Sequence, residues 1–195
     1  MPPAVPRKRR PLLRRVGVLG LRILGWRVTG AFPNTPKFVV IVAPHTSNWD
    51  FVIGILAYLA IDIDASWLGK HSIFRWPFGP ILRRVGGIPV IRDSSHNVVE
   101  QSIAEFKRRD RLVLAIAPEG TRRLVKSWRS GFYHIATGAG VPIVTAALEF
   151  GNREVAVGPT FEPTGDYAAD LARLSGRFAG VTPRHPELYE PAPRP

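Results

Sequence analysis

Two side chains five positions apart, His45 and Asp50, form the first constellation in this sequence that can do chemistry. Histidine is the side chain best suited to proton transfer near neutral pH. A carboxylate that accepts a hydrogen bond from one imidazole nitrogen fixes the ring's tautomer and raises the basicity of the other nitrogen. The run Pro44-His45-Thr46-Ser47-Asn48-Trp49-Asp50 follows a short apolar stretch, so a loop-to-helix turn can bring ring and acid together. On spacing alone two readings stand side by side. One is a His–Asp dyad in which His45 takes a proton from a substrate hydroxyl; the other is Asp50 as a helix cap and His45 as a turn residue. A second cluster is Pro118-Glu119-Gly120-Thr121-Arg122. Gly120 lets a ligand approach the backbone, and amides at a turn can face an anion or a developing oxyanion. Arg122 can grip a phosphate or carboxylate with two parallel bonds, or the whole run can be a solvated surface turn. A third cluster, Gly86 to Arg92, reads as a strand that delivers Arg92 to the same rim or to a salt bridge with Asp93.

The elements around these clusters alternate. Phe38–Ala43 (FVVIVA) is a β-branched, fully apolar run and predicts a buried strand. Residues 50–61 are apolar and too long for a strand, which predicts a buried helix. Further strands are expected at 65–68, 88–91, 112–117, 143–150 and 154–157, and helices at about 96–109, 131–137 and 167–178, with 69–87 a loop carrying a short helical turn near 81–85. Short apolar strands separated by helices predict a single α/β domain with a largely parallel central sheet covered by helices on both faces. Such folds place ligands at the carboxyl ends of the strands. All three polar clusters follow strands, so they converge on one rim.

The chain has 195 residues, enough for one full core, and no cysteine, which excludes a disulfide framework, a Cys-ligated zinc and a Cys nucleophile. Its net charge of +12 is unevenly spread. The first acidic residue is Asp50, and nine Lys or Arg precede it, so the expected partner is anionic and is met first by the N-terminal arm. Residues 1–11 read as a disordered, Pro-rich basic leader. Residues 12–28 (LLRRVGVLGLRILGWRV) place Arg14, Arg15 and Arg22 on one side of a helix and apolar residues mostly on the other. That is the pattern of an interfacial membrane helix, too interrupted by arginine to span. The rival readings are a helix docked on the domain's own core and a nucleic-acid arm. The expected organisation is therefore 1–30 as leader and amphipathic membrane-surface helix, 31–181 as the main domain, and 182–195, with five prolines, as a loose tail.

Taken together and in order, HTSNWD, GGIPVIR and PEGTR, followed by Val141-Pro142-Ile143, resemble the motifs of the glycerolipid acyltransferase family that includes 1-acylglycerol-3-phosphate acyltransferases. The resemblance runs from about residue 38 to residue 150. It implies transfer of a fatty acyl group from a thioester of coenzyme A or acyl carrier protein to a lipid hydroxyl. It casts His45 as the base and Asp50 as its partner. Arg92 and Arg122 would hold the acceptor's phosphate, Glu119, Gly120 and Thr121 would shape the site, and Lys70 matches a basic position ahead of the second motif. The implied partners are a lysophospholipid acceptor, the thioester as co-substrate rather than cofactor, and an anionic membrane surface at its cytoplasmic face, with no metal and no nucleic acid. Two departures bear on the acceptor: Pro44 stands where many relatives have Asn, and Arg123 where many have Ser.

The chemistry is consistent with the composition. A thioester is already activated, so the reaction needs a base, an oriented hydroxyl and oxyanion stabilisation. The sequence has no Gly-x-Ser-x-Gly elbow, no His-Glu-x-x-His and no Gly-Lys-Ser/Thr phosphate loop. Three rival functions remain open at this level: the same chemistry on a lipid without phosphate, a basic nucleic-acid-binding protein, and a lipid-binding scaffold without catalysis. His71, His96, His134 and His185 read as surface or packing residues. Trp49, Trp67, Trp76 and Trp128 read as core or rim packing, with Trp76-Pro77-Phe78 as an alternative wall for an acyl channel.

Overall fold

The computed structural model describes residues 1–84, 86–90, 95–191 and 193, with the side chains of Lys70, Ser95 and His96 outside that description. In chain order the elements are α1 (Pro11–Ile23), β1 (Arg27–Gly30), β2 (Lys37–Ala43), α2 (Asn48–Ile61), β3 (Ala65–Lys70), a 3₁₀ turn (His71–Phe74) and α3 (Phe78–Arg84). There follow β4 (Gly87–Val90), α4 (Ser95–Arg108), β5 (Leu112–Ile116), α5 (Gly131–Ala139), β6 (Ile143–Glu149), β7 (Glu154–Phe161) and α6 (Tyr167–Gly176). The seven strands form one sheet in the order β1-β7-β6-β2-β5-β3-β4. β6, β2, β5, β3 and β4 run parallel; β7 turns back antiparallel to β6, and β1 runs parallel to β7.

The central strands are buried on both faces, which is why they read as unbroken apolar runs. Val39, Ile41 and Ala43 of β2 point to one side, where Phe106 of α4, Phe132, Tyr133 and Ile135 of α5, and Leu171 and Leu174 of α6 close over them. Phe38 and Val40 point to the other side, toward Ile63, Ala65 and Val113. On that side Ile53 and Ala57 of α2 pack with Leu21 of α1, Trp26, Leu148 and Val155. The fold is thus an α/β domain with a mostly parallel sheet and helices on both faces, as the sequence pattern predicts.

Three segments differ from expectation. The N-terminal residues 1–11 are not a free leader. Val5 is buried, Arg7 bridges to Ile63, and the Asp64 amide donates to the Pro6 carbonyl at 2.8 Å. The organiser is Asp62, a buried residue at φ 59° whose carboxylate accepts from the Arg7 guanidinium (3.2 Å) and the Arg10 amide (3.1 Å). The amphipathic helix ends at Ile23 rather than continuing to residue 28, because Gly25 adopts φ 71°, and the following residues enter the sheet as β1. The sheet therefore begins inside the stretch assigned to the leader. Residues 182–189 are not loose either: the Phe150 amide donates to the Thr182 carbonyl at 2.8 Å, Pro183 is buried, and Tyr189 packs against the core.

α1 lies on α2 through its small residues. A Cβ on Gly17 would stand 2.5 Å from the Ala60 nitrogen and 2.7 Å from the Leu56 carbonyl oxygen, so only glycine admits this approach. Leu12, Val16, Leu19 and Ile23, spaced i, i+4, i+7, i+11, are left exposed along the outer side. The helix both docks on the domain and keeps an apolar stripe in solvent. No helix among the described residues is long and apolar enough to cross a membrane.

Candidate active site

Strand β2 ends at Ala43 and the chain turns directly into α2, so His45 stands at the carboxyl end of the central strand. The turn is fixed by a capping box: the Ser47 hydroxyl accepts from the Trp49 amide, and the Asp50 carboxylate accepts from the Ser47 amide (2.6 Å) and hydroxyl (2.9 Å). The Thr46 amide also donates to Asp50 at 2.6 Å. One acid thereby satisfies the orphan donors of the helix start and remains available to a further partner. That partner is His45, whose Nδ1 lies 3.3 Å from Asp50 Oδ2. Both contacts that spacing allowed are present: Asp50 belongs to the capping box of α2 and also faces the imidazole.

Asp50 is 2% exposed. Burial pushes its pKa upward, but the hydrogen bonds from His45 and from the Ser47 amide and hydroxyl outweigh it and hold the carboxyl below the usual aspartate value. Asp50 is therefore a carboxylate across the neutral range, fit to hold the Nδ1–H tautomer and leave Nε2 as the basic nitrogen.

Glu119 comes from the end of the neighbouring strand, β5. Its Oε1 accepts from the His45 amide at 3.0 Å, tying the PEGTR loop to the HTSNWD turn across 74 residues. Glu119 is 4% exposed, and burial raises its pKa to about 7 against the lowering effect of the His45 amide; the Asp50 charge adds to the rise. The carboxyl thus changes charge near neutral pH while holding the backbone of His45.

Gly120 follows at φ 68°, and a Cβ there would lie 2.6 Å from Nε of Arg129. The glycine makes room for the Arg129 side chain to cross the turn, and the Arg129 amide returns to the Pro118 carbonyl at 2.9 Å. Thr121 is half-buried and its hydroxyl accepts from the Arg123 amide; Arg122 is exposed on the same loop. Lys70 is the last residue of β3, which places its backbone at the same end of the sheet. Arg92 lies outside the described residues. The structure therefore brings His45, Asp50 and Glu119 into one bonded cluster, with Gly120, Thr121 and Arg122 on the adjoining loop.

Sequence reasoning did not find the contribution of the C-terminal segment. The His185 amide donates to the Thr46 hydroxyl at 3.2 Å, and Arg184 lies over the rings of Trp49 (5.7 Å) and Phe150 (5.9 Å). Glu119 raises the pKa of Tyr189, behind burial as the larger cause, so the phenol and the acid share one neighbourhood. Nothing in the proline-rich pattern of 182–195 marks these contacts, because every partner lies far along the chain. A groove of about 550 Å³ opens beside the turn, lined by Ile23, Leu24, Trp26, Trp49, Ile53 and Phe150 together with Arg153 and Arg184. Its size is that of an ordinary small-ligand cleft.

The sequence comparisons agree on one family. A family model described as Acyltransferase matches residues 27–149. The 1-acyl-sn-glycerol-3-phosphate acyltransferase of Haemophilus influenzae is 30% identical over 132 residues, which cover 63% of this chain and 53% of that protein. The protein of the same name from Escherichia coli is 28% identical over 116 residues, 56% of this chain and 46% of its own. The chain spans about half the length of the curated relatives it matches. The crystal structure of the 1-acyl-sn-glycerophosphate (LPA) acyltransferase PlsC from Thermotoga maritima superposes with a TM-score of 0.60, covering 82% of this chain and 71% of that one at 18% identity, a likeness of fold. A family match that covers more than half of the residues, including the His45 turn and the Glu119 loop, makes this chain a member of the Acyltransferase family.

Proposed function

We propose that the protein is an O-acyltransferase that moves a fatty acyl group from a thioester of coenzyme A or acyl carrier protein to the hydroxyl of a lysophospholipid of the 1-acylglycerol-3-phosphate type. The observation that carries the reading is the 3.3 Å contact between His45 Nδ1 and the buried Asp50 carboxylate at the carboxyl end of β2. With Nδ1 paired, Nε2 takes the proton of the acceptor hydroxyl as its oxygen attacks the thioester carbonyl. The tetrahedral intermediate collapses with cleavage of the C–S bond, and the proton passes from the imidazolium to the departing thiolate. A positioned base of this kind contributes ~10²–10⁴ in rate. Arg122, with Arg92, is assigned the acceptor's phosphate, where charge-assisted bonds contribute ~1.5–3 kcal/mol each; Lys70 is a further cation for that role. Glu119 fixes the height of His45 through its amide, and Gly120 and Thr121 form the wall beside it.

The acceptor is reached at the cytoplasmic face of a membrane, with the exposed stripe of α1 lying in the interface and the arginines of the arm against anionic headgroups. The test is mass spectrometry of the lipids formed from a panel of lyso-acceptors with both thioester donors. The expected product is a diacyl phospholipid from a phosphorylated acceptor. Turnover only of acceptors without phosphate would remove the role of Arg122, and no acyl transfer from either donor would refute the reading.

A further inference from the structure

The chain between β3 and β4 lies on the α1–α2 side of the sheet. Ala65 sits in the core on that side, and Trp67 and Gly69 follow it on the same face by strand alternation. Phe74 packs on Trp67 with ring centroids 5.8 Å apart, and Arg83 lies 5.5 Å over the Phe74 ring. A Cβ on Gly79 would collide with the Phe74 backbone, so the 3₁₀ turn and α3 are pressed together around one buried aromatic. The N-terminal arm reaches the same place: Lys8 Nζ and Arg10 Nη2 donate to the Arg84 carbonyl at 3.3 and 3.4 Å.

A segment so firmly seated nevertheless turns four other large apolar side chains outward, with Leu82 half-buried. Ile73, Trp76, Phe78 and Ile81 are all exposed, Trp76 at 88% and Phe78 at 66%. Exposed Arg75, Arg83 and Arg84 stand among them, and the sequence has no acidic residue between Asp64 and Asp93. Isolated exposed apolar side chains are ordinary; four on one short anchored element are not. The α1 stripe of Leu12, Val16, Leu19 and Ile23 belongs to the same side of the sheet. The partner that fits is apolar beneath an anionic surface and wide enough to meet two elements at once. Tryptophan flanked by arginine is the composition of a membrane interface.

We propose that residues 71–84 are a second membrane-insertion element, in which Trp76, Phe78 and Ile81 enter the interfacial layer of an anionic bilayer while Arg75, Arg83 and Arg84 meet lipid phosphates. Two separated contacts, α1 and this segment, fix the tilt of the domain where one helix would leave it free to roll. Because the segment follows β3 at the end of the sheet that carries His45 and Glu119, the contact presses the mouth of the site toward the surface. The inference extends the membrane-surface reading above to a second element and needs no catalytic step.

The absence of cysteine makes the test direct. Trp76→Cys and Ile81→Cys, each labelled with an environment-sensitive fluorophore, are mixed as full chains with vesicles of phosphatidylcholine containing phosphatidylglycerol. Emission should shift to the blue and be quenched by a nitroxide carried on the lipid chains, with little quenching by aqueous iodide. The same label at His134→Cys, exposed on α5 across the sheet, should report water throughout. The double variant Trp76→Glu, Phe78→Glu should partition onto these vesicles at least ~10-fold more weakly, a loss of at least ~1.4 kcal/mol. A label at position 76 that stays in water while the protein sediments with vesicles would overturn the proposal. So would a label that responds to an acidic acyl carrier protein and not to lipid, which would make the segment a protein-docking surface.

Discussion

Glu119→Gln isolates the energetic cost of holding an ionisable group behind His45. The amide oxygen of glutamine can still accept from the His45 nitrogen, so the substitution removes the charge and keeps the bond. In the wild type the carboxyl titrates near 4.5 when unfolded and at about 7 when folded. Between those values the native state retains a proton that the unfolded state has released. Its contribution to stability is therefore intact below 4.5, declines as pH rises, and is lost above about 7. At about 1.36 kcal/mol per pH unit, the wild type should lose ~2.5 kcal/mol relative to the variant between about pH 5 and about pH 8. Asp50 stays out of this window because its carboxyl is held below its ordinary value, and its own contribution is lost only as pH falls through the acid range. The assay is urea unfolding followed by circular dichroism at both pH values on both proteins. Stability differences that agree at the two pH values within ~0.5 kcal/mol would refute the assignment of a raised pKa to a buried Glu119.

Three further outcomes follow from the geometry. His45→Ala should reduce acyl transfer at least ~10²-fold with an unchanged circular dichroism spectrum, and substantial residual turnover would count against His45 as the base. Arg122→Ala should raise KM for a phosphorylated acceptor more than for the thioester; equal effects on both would remove the phosphate contact. Gly17→Val should cost ~1–3 kcal/mol, since its side chain would meet backbone atoms of Leu56 and Ala60 that cannot turn aside, and an unchanged thermal midpoint would contradict the close α1–α2 contact. These variants are preferable to excision of residues 1–30, which would strip β1 from the sheet along with the helix.

What the sequence made legible was whatever a local pattern could carry. Phe38–Ala43 and Leu112–Ile116 are unbroken apolar runs because both of their faces are covered, and the spacing of the HTSNWD turn offered Asp50 both as a helix cap and as a partner for His45. What stayed hidden depends on partners far along the chain. Arg27–Gly30 is four residues of mixed polarity and becomes a strand only because β7 offers an edge to it. The basic arm reads as solvated until Asp62, in a left-handed conformation at the end of α2, collects Arg7 and the Arg10 amide. The segment 182–189 carries five hydrogen bonds or ring contacts to Phe150, Trp49, Glu149 and Thr46, none of which a run of prolines foretells. The close approach of Glu119 to His45 is of the same kind: each motif is visible alone, but the bond between them exists only because β2 and β5 are neighbours.

The pairing of β1 with β7 has a consequence for biosynthesis. Arg27 and Glu154, ion-paired at 2.8 Å in the finished fold, are separated by 127 positions along the chain. On the ribosome, the segment carrying α1 emerges long before the strand that will hold it, and contacts of such long range form slowly. A nascent chain halted ahead of Glu154 already holds α2, against which Gly17 of α1 packs, but it lacks β7, the partner of β1, and Val155, part of the seat of Trp26. Until β7 is made, β1 has no strand edge to join, and α1 is fastened through its α2 face alone.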